Sequence, residues 1–124
     1  MGARTQVKII HGKKAVYLYS HYDSGEILGI VQKGLKKGVS RWTDHEYLSR
    51  ILFCEMIKDD VEGLLGYGIG VSKHGDLDNM VTIDPTKQTI SFQADKWDKN
   101  QASFKDLSFK TFCENPTFKF QSDF

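Results

Sequence analysis

Polar and apolar residues alternate along residues 4–11, with Thr5, Val7 and Ile9 on one face and Gln6, Lys8 and Ile10 on the other. That two-residue period predicts a β-strand. Gly12, Lys13 and Lys14 then make a turn, and residues 15–21 return as a second strand, giving a hairpin. Val16, Leu18 and Ser20 share one of its faces, and Tyr17, Tyr19 and His21 the other. A polar corner, Tyr22-Asp23-Ser24-Gly25, ends the hairpin.

The period changes at residue 26. Ile27, Ile30, Val31 and Leu35 recur at helical spacing, and Lys36, Lys37 and Gly38 supply a basic last turn and a stop. Gly29 and Gly34 each weaken this helix by about 1 kcal/mol relative to Ala, which points to close packing or ligand approach. Thr43-Asp44-His45-Glu46 has capping-box spacing and opens a second helix, on which Tyr47, Leu48, Ile51 and Leu52 repeat at three- and four-residue intervals. Alternation resumes at 66–72, with Tyr67, Ile69 and Val71 facing one way and Gly66, Gly68 and Gly70 the other. Turn residues at 74–79 and 84–87 separate strands at 80–83 and 89–93, so this stretch is expected to be a three-stranded meander. Ser103-Phe104-Lys105-Asp106 resembles a further helix start, and Phe118 and Phe120 alternate as a short terminal strand. The predicted order is ββααβββαβ: a single α+β domain over 1–124, mainly antiparallel, with 117–124 as a candidate C-terminal arm.

Composition narrows the class of protein. The 124 residues carry 17 Lys+Arg against 16 Asp+Glu and are 40% hydrophobic, which suits one folded domain rather than a disordered chain. Two cysteines, Cys54 and Cys113, cannot staple a disulfide scaffold and form no Cys-x-x-Cys pair. There is no long apolar run for a membrane span and no apolar leader, and Gln6 stands where a myristoylation signal wants Ser or Thr. A cytoplasmic protein is expected. A net charge of +1 argues against a duplex nucleic-acid binder.

Candidate chemistry falls in five places. His21 and Asp23 sit two apart at the hairpin's end, where an imidazole and a carboxylate could share a metal, form a base–orienter pair or simply fix the corner. Residues 33–42 hold Lys33, Lys36, Lys37 and Arg41 with no acid; Gly34 and Gly38 allow close approach, Ser40 can donate and Trp42 can stack. These parts suit a phosphate-bearing ligand, although no Walker pattern is present. The same run also reads as a cationic helix C-terminus favoured by the helix dipole. His74-Gly75-Asp76-Leu77-Asp78-Asn79 lacks the glycine and terminal Glu of a calcium loop and reads as a turn. The bare face of Gly66, Gly68 and Gly70 calls for something against it: a helix, a second subunit or a flat ligand. Six of the eight phenylalanines (104, 109, 112, 118, 120 and 124) lie near the C-terminus, which fits either core packing or a contact between subunits.

The opening Met1-Gly2-Ala3-Arg4-Thr5, together with Tyr19-Ser20-His21-Tyr22-Asp23-Ser24-Gly25 and Leu28-Gly29, resembles a group of small phage and prophage proteins. Those begin Met-Gly-Thr-Arg and carry Tyr-x-His-Trp-Asp-Gly-Tyr-Pro before a glycine-containing helix; here Tyr22 replaces the Trp and no Pro follows. The resemblance implies a phage-encoded accessory protein and carries no activity with it. Proteins of that kind act against host defence by blocking a protein or sequestering a nucleotide signal. The expectation is therefore a non-enzymatic, homo-oligomeric binding protein that needs no cofactor and sequesters a small anionic ligand, a cyclic or linear nucleotide. Lys36, Lys37, Ser40 and Arg41 would hold phosphate, Trp42 or Tyr22 would stack on a base, and His21 and Asp23 would read polar edges. Two alternatives stand beside it: a metal-assisted phosphoesterase or nuclease using His21, Asp23 and His74, and an interaction module that inhibits a host protein.

Overall fold

The structure is a computed structural model, described here for residues 3–94 and 102–115. Strands β1 (Thr5–His11) and β2 (Lys14–Ser20) form the expected hairpin, whose turn uses Gly12 at φ +62°. Helix α1 (Ile27–Lys37), a 3-10 turn (Val39–Arg41) and helix α2 (His45–Ile57) follow. Then come β3 (Tyr67–Gly70), β4 (Asn79–Asp84), β5 (Thr89–Gln93), β6 (Phe104–Ser108) and helix α3 (Phe109–Glu114). The class is α+β: one six-stranded sheet in the order β3-β2-β1-β4-β5-β6, with β1/β4 parallel and the other four pairings antiparallel.

The helices cover one face of the sheet. Val7 and Ile9 of β1, Leu18 of β2, Val81 and Ile83 of β4, and Ile90 and Phe92 of β5 are buried against Ile27, Leu28, Val31, Leu35, Leu48 and Leu52 from α1 and α2. At Gly34 the two helices meet closely, since a Cβ there would lie 2.6 Å from Leu52 Cδ2. The packing half of the expectation for this glycine therefore holds.

Three expectations are corrected. The 66–93 stretch is not a meander. β3 docks on the outer side of β2, Tyr67 opposite Ser20, while β4 lies beside β1 in the centre of the sheet. Val81 and Ile83 are fully buried and need neighbours on both sides, which an outlying meander could not supply. Residues 103–106 do not start a helix. They enter β6, and α3 begins only at Phe109, capped by the Ser108 hydroxyl accepting from Thr111 N–H. At α2 the capping residue is Asp44 rather than Thr43, its carboxylate accepting from the Glu46 and Tyr47 N–H groups. Of the clustered phenylalanines, Phe109 and Phe112 are fully buried in this chain's own core and Phe104 packs against it. Phe118, Phe120, Phe124 and the proposed arm lie outside the described residues.

Candidate functional site

The corner after β2 is tied together by its own side chains. The Ser20 hydroxyl donates to Asp23 Oδ2 at 2.7 Å and accepts from Tyr22 N–H at 3.2 Å. Tyr67 also hydrogen-bonds the Asp23 carboxylate. Burial, then the adjacent Asp23 charge and this hydrogen bond, push the Tyr67 phenol up to about 12. The Tyr19 hydroxyl and His21 Nδ1 share a hydrogen bond at 3.1 Å, and His74 stacks on the Tyr19 ring at 4.2 Å. Tyr22 makes edge contacts with His21 and Tyr67 and leans over Gly66, whose φ of +97° and lack of a Cβ make room for the ring. His21 and Asp23 thus face different partners rather than a common centre. Among the described residues no group of three or more His, Cys, Asp or Glu side chains is placed to hold a metal ion.

The basic run lies elsewhere. His45, at the start of α2, stacks on His11 at 3.7 Å, which fixes this end of the helical layer over the hairpin turn. Seven residues of β2 separate that turn from the corner, about 20 Å of strand. Lys36, Lys37, Ser40, Arg41 and Trp42 are therefore not brought together with His21, Tyr22 and Asp23. Within the run, Trp42 Nε1–H donates to the Leu35 carbonyl at 2.8 Å, and its ring packs edge-on against Phe109. Lys37 Nζ donates to Glu55 Oε1 at 2.6 Å, and Lys58 holds the other oxygen at 2.8 Å. Burial of Glu55 raises its pKa, but the two ammonium groups outweigh that and hold the carboxyl below its ordinary 4.5. The Arg41 guanidinium lies 4.6 Å from the centre of the Tyr47 ring, and Ser40 and Lys33 are exposed. Gly38 is pressed against Leu48 and Ile51 and does not open onto solvent.

A different basic and aromatic surface occupies the sheet face that the helices leave uncovered. Lys8 and Ile10 of β1, Gly12, Lys13 and Lys14 of the turn, Ala15 and Tyr17 of β2, and Val71 line a depression of about 300 Å³. The Lys8 ammonium sits 5.8 Å from the centre of the Tyr17 ring. No acidic residue lines this depression, and among the described residues none of its three lysines is in an ion pair. Gly70 pairs with Tyr17 and Gly68 with Tyr19, and a Cβ at either glycine would meet nothing within 4 Å. The expectation that something packs on the glycine face is thus not met by a helix among the described residues.

The connection 71–78 crosses the open face. Gln6 receives it by donating to the Ser72 carbonyl and accepting from His74 N–H, while Arg4 pairs with Asp76 at 3.3 Å and accepts Asp78 N–H at its carbonyl. This explains why Gln6, on the polar side of β1, is buried. The three lysines were visible in the sequence, but only the hairpin register sets Lys8 opposite Tyr17 and brings all three to one depression.

Compared with family models, curated proteins and solved structures, the chain matches none. No helix of the described residues is long and apolar enough to cross a membrane.

Proposed function

We propose that this is a non-catalytic binding protein for a small planar anion, a nucleotide being the ligand class, held on the open face of the sheet. The observation that carries the reading is the acid-free depression lined by Lys8, Lys13, Lys14 and Tyr17, with the Lys8 ammonium over the Tyr17 ring. Three ammonium groups without an ion pair among the described residues suit phosphate, the half-buried Tyr17 ring suits a base, and the neighbouring Gly70 lets a flat ligand approach the backbone. The phosphate-holding role expected for Lys36, Lys37 and Arg41 passes to these hairpin lysines, because Lys37 and Trp42 are committed to Glu55 and to the core. With the phage resemblance, the reading becomes a phage-type accessory protein that sequesters a nucleotide signal in the host cytoplasm.

Calorimetry with cyclic and linear nucleotides tests this. Binding should weaken at least about tenfold in Lys8→Ala/Lys14→Ala, a loss of about 1.4 kcal/mol, and remain unchanged in Lys36→Ala/Arg41→Ala. Silence across the panel would sink the proposal. Recovery of intact nucleotide after incubation with Mg²⁺ or Mn²⁺ separates binding from the phosphoesterase alternative, which requires product that His21→Ala abolishes. The metal alternative is the weaker one, since His21 hydrogen-bonds Tyr19 while Asp23 is held by Ser20 and Tyr67.

A further inference from the structure

The two edges of the sheet are built differently. β6 carries Lys105 and Asp106, with Asp106 at φ +54° and a register shift against β5 between Ile90 and Phe92. Charge, an irregular backbone and a bulge are the devices that keep an edge strand from pairing with another chain. β3 has none of these. Its four residues, Tyr67-Gly68-Ile69-Gly70, are uncharged and in regular register with β2.

The direction of its free backbone groups follows from one hydrogen bond. His21 N–H donates to the Gly66 carbonyl at 2.8 Å, so 21/66 is a hydrogen-bonded pair of the antiparallel ladder, as are 19/68 and 17/70. The N–H and C=O groups of Tyr67 and Ile69 consequently point away from β2. Ile69 is 62% exposed, and in the segment leading into the strand Leu65 is 79%, Leu64 96% and Val61 66% exposed. Exposed apolar side chains on and just before an unpaired edge strand are of the kind that marks interaction sites.

We propose that β3 is a homodimer seam, pairing antiparallel with β3 of a second copy about a two-fold axis at Gly68. Tyr67 of each copy then faces Ile69 of the other, and both outward residues on each strand are used. The absence of charge makes the edge self-compatible, and Gly68, at the closest approach, presents no side chain on the open face. The exposed Leu64 and Leu65, just before the strand, extend the apolar contact beyond the paired backbones. This inference stands on the edge alone and does not depend on the ligand proposed for the open face. A monomer that binds nucleotide and a dimer that does not are distinct, readable results.

Sedimentation velocity on the full chain at micromolar concentration is the test, with circular dichroism to check folding. The wild type should be a dimer. Ile69→Lys should weaken association at least about tenfold by placing like charges across the seam. Ile69→Pro should do the same by removing an outward N–H that the monomer does not use. Gly68 has no positive φ and open space at its Cβ position, so Gly68→Cys in a Cys54→Ser background should fold and cross-link on oxidation. The expected Cα separation at a non-hydrogen-bonded pair, about 4.5 Å, suits a disulfide. A monomeric wild type, a dimer that survives both Ile69 variants, or a dimer that Gly68→Cys fails to cross-link overturns the proposal. A seam occupied only by another protein would show as the first of these.

Discussion

The two faces of the sheet follow opposite rules. On the helix side, successive inward positions are apolar and buried: Val7 and Ile9, Val81 and Ile83, Ile90 and Phe92. On the other side the sheet presents Lys8, Tyr17, Gly68 and Gly70, and among the described residues the connection 71–78 crosses it. Stability therefore resides on one face, and freedom to recognise a ligand on the other. Substitutions should separate cleanly into these two kinds.

The largest effect is expected from Phe109→Ala, which empties a fully buried site beside Trp42 and should cost about 3–5 kcal/mol in urea unfolding. Lys8→Ala/Lys14→Ala should stay within about 0.5 kcal/mol of wild type in the same experiment; an equal cost would erase the contrast. Next comes Gly66→Ala, at about 1–3 kcal/mol, because alanine is strained at φ +97° and its methyl group would meet the Tyr22 ring. The smallest of the expected losses, and the one that sharpens the comparison by pH, is that of Glu55→Gln. Removing the charge held by Lys37 and Lys58 should cost about 1–2 kcal/mol near neutral pH. The folded Glu55 titrates below its ordinary 4.5, so its contribution is complete above that value and is lost as pH falls through the depressed one. The gap between wild type and variant should therefore close in acid, as followed by denaturation midpoints from pH 7 downward.

What could be read from the sequence was local. The first hairpin, α1 and α2 emerge from alternation, a glycine turn and helical spacing, all signals confined to neighbouring residues. The neighbours of β3 and β4 could not be read this way, because alternation reports which face a side chain takes and not which strand lies beside it. β6 was mistaken for a helix start for a specific reason. Phe104 and Leu107 are three apart, as on a helix, yet they pair with Phe92 and Ile90, which are two apart. The bulge absorbs the extra residue and lets a strand imitate helical spacing.

The candidate site shows a related limit. Residues 33–42 are contiguous in sequence, but helix geometry turns Lys37 toward Glu55 and the following loop sends Trp42 into the core. Lys8, Lys13, Lys14 and Tyr17 are scattered across a hairpin whose register gathers them. The corner at His21-Tyr22-Asp23 stands out in the sequence as an imidazole and a carboxylate two residues apart. What the sequence could not show is that its partners are Tyr19, Ser20, Gly66, Tyr67 and His74.

The parallel pairing of β1 with β4 bears on how the chain is made. Thr5 lies opposite Asn79, so the central strand lacks one neighbour until some 74 further residues have been added. At about 5–20 residues per second, the ribosome takes roughly 4–15 s over that interval. Throughout it the hairpin and the first two helices have one side of β1 unpaired, in a nascent chain that stays open to chaperones and to mispairing. Completion of β1's pairing is thus a late event of synthesis, timed by the arrival of residues 79–84.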